Sequence, residues 1–260
     1  MMDLGLAGKW AIVGASSRGL GLGCAQALAA AGCNLVINGR DAAKLDEAAA
    51  ELRSLGAPEV IVVAKDISSK EGQDALFAAC ENPDILVNNN GGPPMKPFAD
   101  LDSEAIMAGV KQNMITPIEL VQRALPGMEK KGFGRIVNIT STSVLAPIPG
   151  LDVSSGARAG LTAFLAGVAK DAIANGVTIN NILPGKVDTD RQRSIIENRA
   201  KRIGKTVDEE RKATVAAIPA KRLGTAEEFG ATCAFLCSTH AGYITGQNIS
   251  LDGGLLGQAF

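Results

Sequence analysis

Short apolar runs alternate along the chain with stretches whose hydrophobic residues recur every three or four positions. The runs are KWAIVGA at 9–15, CNLVIN at 33–38, EVIVVA at 59–64, DILVN at 84–88, GRIVNIT at 134–140, VTINNIL at 177–183 and QNISLD at 247–252. Each is short, rich in Val, Ile and Leu, and bounded by Gly, Asn, Asp or Pro, which predicts seven strands. Helical patterns fill the gaps over residues 20–31, 41–55, 70–80, 103–130, 154–175 and 226–237. Gly32 ends the first of these. Strand–helix alternation of this kind predicts a parallel sheet covered on both faces.

Right-handed crossovers turn the pattern into one α/β domain over residues 1–260: a doubly wound, Rossmann-like, seven-stranded parallel sheet with helices on both faces. One stretch departs from the alternation. Residues 190–223 are charged and rich in Arg and Lys, and they follow the sixth strand, where such sheets carry lids over the binding crevice. A lid-like insert is expected there, with a solvated helical excursion as the plain alternative.

Composition narrows the partners. Hydrophobic residues make up 46% of the 260 and aromatics only 3%, so the core is expected to be Ala, Val, Ile and Leu. A net charge of −1 gives no reason to expect a nucleic acid. No apolar run reaches the roughly 18 residues of a membrane span. The start, MMDLGLAGKW, lacks the charged and apolar segments of a signal peptide. The five cysteines are odd in number and lie within predicted elements, which reads as free thiols in a reducing cytoplasm. Cys233 and Cys237, one turn apart, read as small core residues rather than a metal clip. With His240 as the only histidine, neither a Ser-His-Asp triad nor a multi-histidine metal site is possible, and no metal is expected.

The first strand runs into GASSRGLGLG, residues 14–23, and then a helix. Gly19 and Gly21 let backbone approach a ligand closely, and the helix N-terminus behind them offers N–H groups to a pyrophosphate. The second strand ends in VINGR. A site preferring NAD usually has an acid there for the ribose 2′-hydroxyl; here Arg40 stands instead, and Arg18 lies in the loop. Two guanidinium groups suit a 2′-phosphate, so NADP(H) is the expected cofactor. Two solvated surface arginines are the alternative.

These motifs resemble the short-chain dehydrogenase/reductase family, in particular members similar to 3-oxoacyl-carrier-protein reductases. The family's T-G-x-x-x-G-x-G is similar to residues 14–21, with the first two letters altered; Ala15, Ser17, Arg18, Gly19, Leu20 and Gly21 would then line the cofactor. Asp66 and Ile67 resemble the adenine-contacting pair after the third strand. The family's N-N-A-G is similar to NNNG at 88–91, which assigns Asn89, Asn90 and Gly91 to the cofactor. Pro184, Gly185 and Thr189 resemble the nicotinamide-holding turn. Asn113 and Ser141 match the family's active-site asparagine and serine. The resemblance also implies a homodimer or homotetramer built on the helices predicted at 103–130 and 154–175.

One match fails. The family carries a tyrosine 13 residues after that serine and a lysine four further on; this chain has Ser154 and Arg158, inside SSGARAG. The only tyrosine, Tyr243, belongs to another motif. A serine hydroxyl titrates near bulk water, about six units above tyrosine. Deprotonating it fully would cost about 8 kcal/mol more. Ser154 can still donate a hydrogen bond or hold a water, and two serines before a helical run are also a common N-cap. Arg158 stays charged; it can hold ribose hydroxyls, stabilise an oxyanion or grip a carboxylate or phosphate. Three readings follow: an NADP(H)-dependent oxidoreductase on a small carbonyl or alcohol with an atypical Asn113, Ser141, Ser154 and Arg158 site; a non-redox enzyme on the same scaffold; or a nucleotide-binding protein without turnover.

Overall fold

A computed structural model describes residues 3–93 and 95–257. The seven predicted strands form as β1 (Trp10–Val13), β2 (Asn34–Gly39), β3 (Val60–Ala64), β4 (Ile85–Asn88), β5 (Gly134–Ile139), β6 (Val177–Pro184) and β7 (Asn248–Leu251). They make one parallel sheet in the order β3-β2-β1-β4-β5-β6-β7. The order reverses direction between β1 and β4, which opens a crevice at the carboxyl ends of these strands.

Successive side chains of a strand face opposite sides, so each strand feeds two cores. Ala11, Val13, Leu35 and Ile37 pack with α1 (Gly19–Ala30), α2 (Ala42–Ser54) and α9 (Ala226–Cys237). Ile12, Val36, Leu86 and Ile136 pack on the other face with α3 (Lys70–Ala79), α5 (Thr116–Lys131) and α6 (Asp152–Ala172). Both cores are built from Ala, Val, Ile and Leu, as composition requires. Cys24, Cys33, Cys233 and Cys237 are buried free thiols, and no cluster among the described residues could hold a metal ion. No described helix is long and apolar enough to cross a membrane.

Two expected helices differ in detail. The stretch predicted as one helix over 103–130 is α4 (Ser103–Val110), a π-helical turn (Lys111–Ile115) and α5 in continuous succession. Pro117 explains the wide turn. It has no N–H to give the carbonyl four residues back, at Asn113, and its ring crowds that carbonyl, so the helix opens just before it. The helix predicted from 154 begins at Asp152, and its N-cap residue is Leu151. Ser154 therefore lies inside the first turn and caps nothing. The stretch 190–223 carries α7 (Asp190–Ile203) and α8 (Val207–Ala216).

A row of amides crosses four strands at one level. Asn88 donates to Asn138 at 2.8 Å, Asn138 to Asn181 at 2.9 Å, and Asn181 to Asn248 at 2.8 Å. Parallel register places each of these pairs side by side.

Candidate active site

The loop after β1 is pinned from three sides. Ser16 Oγ donates to the Val13 carbonyl, and the Ser16 N–H donates to Asn38 O on β2. Asn89 Nδ2 donates to the carbonyls of Gly14 and Ala15 from the end of β4. A Cβ at Gly14 would stand 2.4 Å from Asn89 O, and one at Gly21 2.4 Å from Ala15 O, so neither position admits a larger residue. Gly19 takes φ +60, which favours glycine; Ala15 takes φ +44 without that freedom. Six other helices receive a side-chain cap from their N-cap residue, but α1 does not: its N-cap, Arg18, makes no such bond and its first turn holds no acid. An uncapped N-terminus behind a loop with no room for side chains fits a pyrophosphate.

Arg18 and Arg40 lie at the neighbouring corner. Arg40 is exposed at the end of β2. Arg18 makes a loose ion pair at 3.8 Å with Asp190, both side chains well exposed. Gly39 sits against Ser17. Asp41, the acid nearest this corner in sequence, caps α2 by accepting from the Lys44 N–H at 3.3 Å, and that bond holds its carboxyl below the usual range. The corner therefore presents guanidinium groups and fits a 2′-phosphate.

The remaining motif residues follow the carboxyl ends of β3, β4 and β6. Asp66 Oδ1 accepts from the Ser68 N–H, while Ile67 is buried and packs on Gly14. Asn90 Nδ2 donates to Ser68 Oγ and Gln112 O, and its Oδ1 accepts from the Gly91 N–H. The Gly185 N–H donates to Leu251 O, which fixes the Pro184–Gly185 turn on β7. Thr189 caps α7 through the Gln192 N–H, and its methyl group lies over Gly19.

Ser154, Arg158 and Asn113 come together beyond β4 and β5, and Ser141 stands in the loop after β5. Ser141 lies two residues beyond β5 and accepts from the Ser143 N–H at 3.1 Å. Arg158, one turn after Ser154 on α6, donates through Nε to Ser154 Oγ at 3.2 Å and through Nη1 to the Ile139 carbonyl at 2.5 Å. Ser154 is buried; having accepted from the arginine, it keeps its own proton to donate. Close helix contacts set this geometry: Gly109 of α4 admits Val153, and Gly160 of α6 admits Met114 from the π turn. Arg158 lines a small cavity with Asn88, Asn113 and Thr116. Asn88 Oδ1, Asn113 Oδ1 and Thr116 Oγ1 are buried there without a partner. Ser154 faces a second, largely apolar hollow lined by Pro93, Leu101, Leu151 and Val153. Burial, then the nearby Arg191 charge, pushes the Arg158 pKa down to about 10.

Two features had weak or no sequence signal. Pro117 marks the π turn, four residues after Asn113. Nothing local marks Arg191 Nη1 and Nη2, which reach 3.2 and 3.4 Å from the carbonyls of Gly92 and Pro93.

Residues 14–256 match the family model described as enoyl-(acyl carrier protein) reductase. The chain is 32% identical to NADPH-dependent reductase BacG of Bacillus subtilis, over 95% of this chain and 97% of that one. It is 34% identical to D-beta-hydroxybutyrate dehydrogenase of Cupriavidus necator, over 97% of this chain and 100% of the relative. L-sorbose reductase of Gluconobacter frateurii, solved with NADPH and L-sorbose, superposes with a TM-score of 0.93 at 28% identity, over 99% of this chain and 100% of the other. From the β1 loop to the last strand, the chain belongs to the short-chain dehydrogenase/reductase family.

Proposed function

We propose that this protein is an NADP(H)-dependent oxidoreductase that interconverts a small carbonyl compound and its alcohol. The observation that carries the reading is placement. The uncapped α1 N-terminus follows β1, at the strand-order reversal, and Ser141 and the Ser154–Arg158 pair, bonded to Ile139, lie at the carboxyl end of β5, two strands along the sheet. Gly19, Gly21 and the α1 N–H groups would hold the pyrophosphate, Arg18 and Arg40 the 2′-phosphate, and Asp66, Ile67, Asn89, Asn90 and Gly91 the adenosine side. Pro184, Gly185 and Thr189 would hold the nicotinamide. When bound, NADPH supplies a hydride to the carbonyl carbon.

The chain's own residues meet the charge that develops on the carbonyl oxygen. Ser154 and Ser141 each accept one hydrogen bond from within the protein and keep a hydroxyl proton to donate. Arg158, bonded to Ser154 Oγ, polarises that hydroxyl and adds positive charge behind it. Neither Ser154 nor Arg158 moves a proton, so the one that completes the alcohol comes from solvent. The helices α7 and α8 act as a lid, and a homodimer or homotetramer uses α5 and α6, where Phe164 is exposed. The setting is cytoplasmic, and 3-oxoacyl compounds belong in the substrate panel.

Titration calorimetry with both cofactors tests the proposal: NADPH should bind at least about tenfold tighter than NADH, and Arg40→Ala should shrink the ratio. Equal affinities, or a ratio that Arg40→Ala leaves unchanged, would overturn it. The proton chemistry favours one second reading, a nucleotide-binding protein without turnover, because no side chain at position 154 or 158 is a proton shuttle. Tight NADPH binding with no oxidation across a carbonyl panel would select it.

A further inference from the structure

Several charged side chains of the lid are paired. Arg193 bonds Asp188 at 3.0 Å and Asp190 at 3.4 Å, Arg211 bonds Asp188 at 3.3 Å, and Arg199 bonds the buried Glu210 at 3.1 Å. Arg191 is different. Both its terminal nitrogens reach only main-chain carbonyls, and its guanidinium lies so close over Gly92 that a Cβ there would stand 2.8 Å from Nη2. Arg158 bonds only a serine hydroxyl and a main-chain carbonyl. Among the described residues no carboxylate pairs with either arginine. A guanidinium carries five N–H donors, so each keeps donors to spare.

The surroundings point to what these donors meet. Arg191 is anchored on Pro93, and Pro93 lines the apolar hollow whose floor is Ser154. Ser154 in turn bonds Arg158. The hollow therefore has an apolar wall and a buried hydroxyl, and a cation without counter-charge is bonded to a residue on each side of it, Arg191 to Pro93 and Arg158 to Ser154. The cofactor's phosphates have provision elsewhere, at the β1 loop and at Arg18 and Arg40. From this arrangement we infer that Arg158 and Arg191 form a receptor for an anionic group on the substrate, so that the enzyme takes a carbonyl compound bearing a carboxylate or phosphate. This rests on the oxidoreductase reading above and specifies its substrate class. The depressed pKa values of both arginines, caused first by burial, agree with cations held short of an anion. Two forks facing one anion also suit the planar, bidentate geometry of carboxylate and phosphate.

The test is calorimetry on the protein loaded with NADP+, in which a ketone binds without turnover. Two pairs of probes are used: laevulinate against methyl laevulinate, and dihydroxyacetone phosphate against dihydroxyacetone. The charged member of at least one pair should bind about tenfold tighter or more than its neutral partner, and which pair does so separates carboxylate from phosphate. Arg191→Gln should bring that ratio close to one while neutral-probe and NADP+ affinities stay put. Arg158→Gln, checked for folding by thermal unfolding, should lower that ratio too, while weakening both members of a pair because it also takes the charge from behind Ser154. Equal binding within both pairs overturns the inference, as does a charge preference that survives both substitutions. A merely structural Arg191 would weaken charged and neutral probes alike, which also overturns it. If NADP+ itself fails to bind, the oxidoreductase reading falls, and the same ratios measured on cofactor-free protein still decide the anion receptor.

Discussion

Ser154→Ala removes one oxygen and separates two roles that a static structure superimposes. The first is structural. Arg158 Nε loses its acceptor at 3.2 Å but the guanidinium keeps the Ile139 carbonyl. An unmet buried donor costs about 1–3 kcal/mol; with one strong bond retained, the loss should fall near the low end. The second is catalytic. Removing one hydrogen-bond donor to a developing oxyanion costs about 10²–10³ in kcat, or about 2.7–4 kcal/mol. The catalytic effect should therefore exceed the structural one. The assay follows kcat by the near-ultraviolet absorbance of NADPH over a carbonyl panel, with thermal unfolding and NADPH titration alongside. The expected result is a kcat at least about 10² lower, a small drop in Tm and unchanged NADPH affinity. A variant that loses stability yet turns over like wild type would refute the reasoning: Ser154 would then be only a prop for Arg158.

Further predictions concern the replaced pair and the thiols. Ser154→Tyr with Arg158→Lys should raise the carbonyl reduction rate by about 10² or more, because a phenol of tunable pKa enters the hollow beside Pro93 and Leu101; either change alone should do less. A folded, NADPH-binding double variant as slow as wild type would place the limitation elsewhere. Burial first, then Cys237 and Asp84, raises the Cys33 pKa from 9.0 to about 12. The folded state keeps a proton that the unfolded chain gives up, so stability is complete below pH about 9 and falls as pH climbs toward 12. The slope from this thiol is about 1.4 kcal/mol per pH unit. Denaturant midpoints measured on both sides of pH 9 should show the fall, and Cys33→Ala should flatten it.

The sheet was legible because each strand is a compact apolar run that can satisfy both faces of a parallel layer. The β1 loop was legible because its glycines answer to local sterics. Three features were not. The two serines at 154 and 155 read as a cap, yet the helix starts two residues earlier and turns Ser154 inward onto Arg158. The π turn had a local cause in Pro117, but its consequence, a buried and unpartnered Asn113 Oδ1, depends on packing against α6. Arg191 meets Gly92 and Pro93 across 98 or more positions of chain, a distance over which no periodicity speaks.

The amide row across β4 to β7 has a direction. At every step the strand nearer the crevice gives the hydrogen, so all the carbonyl oxygens aim the same way and the row ends on Asn88 Oδ1, unpartnered in the cavity that Arg158 lines. Reversing an inner amide would set donor against donor on one side and acceptor against acceptor on the other, so the four turn together or not at all. The sheet thus carries a small permanent electret, its negative pole fixed beside the arginine before any ligand arrives. Its far pole is Asn248, exposed on the edge strand β7. A substitution at that surface position, three strands away from Asn88, would change the field felt in the cavity without touching it.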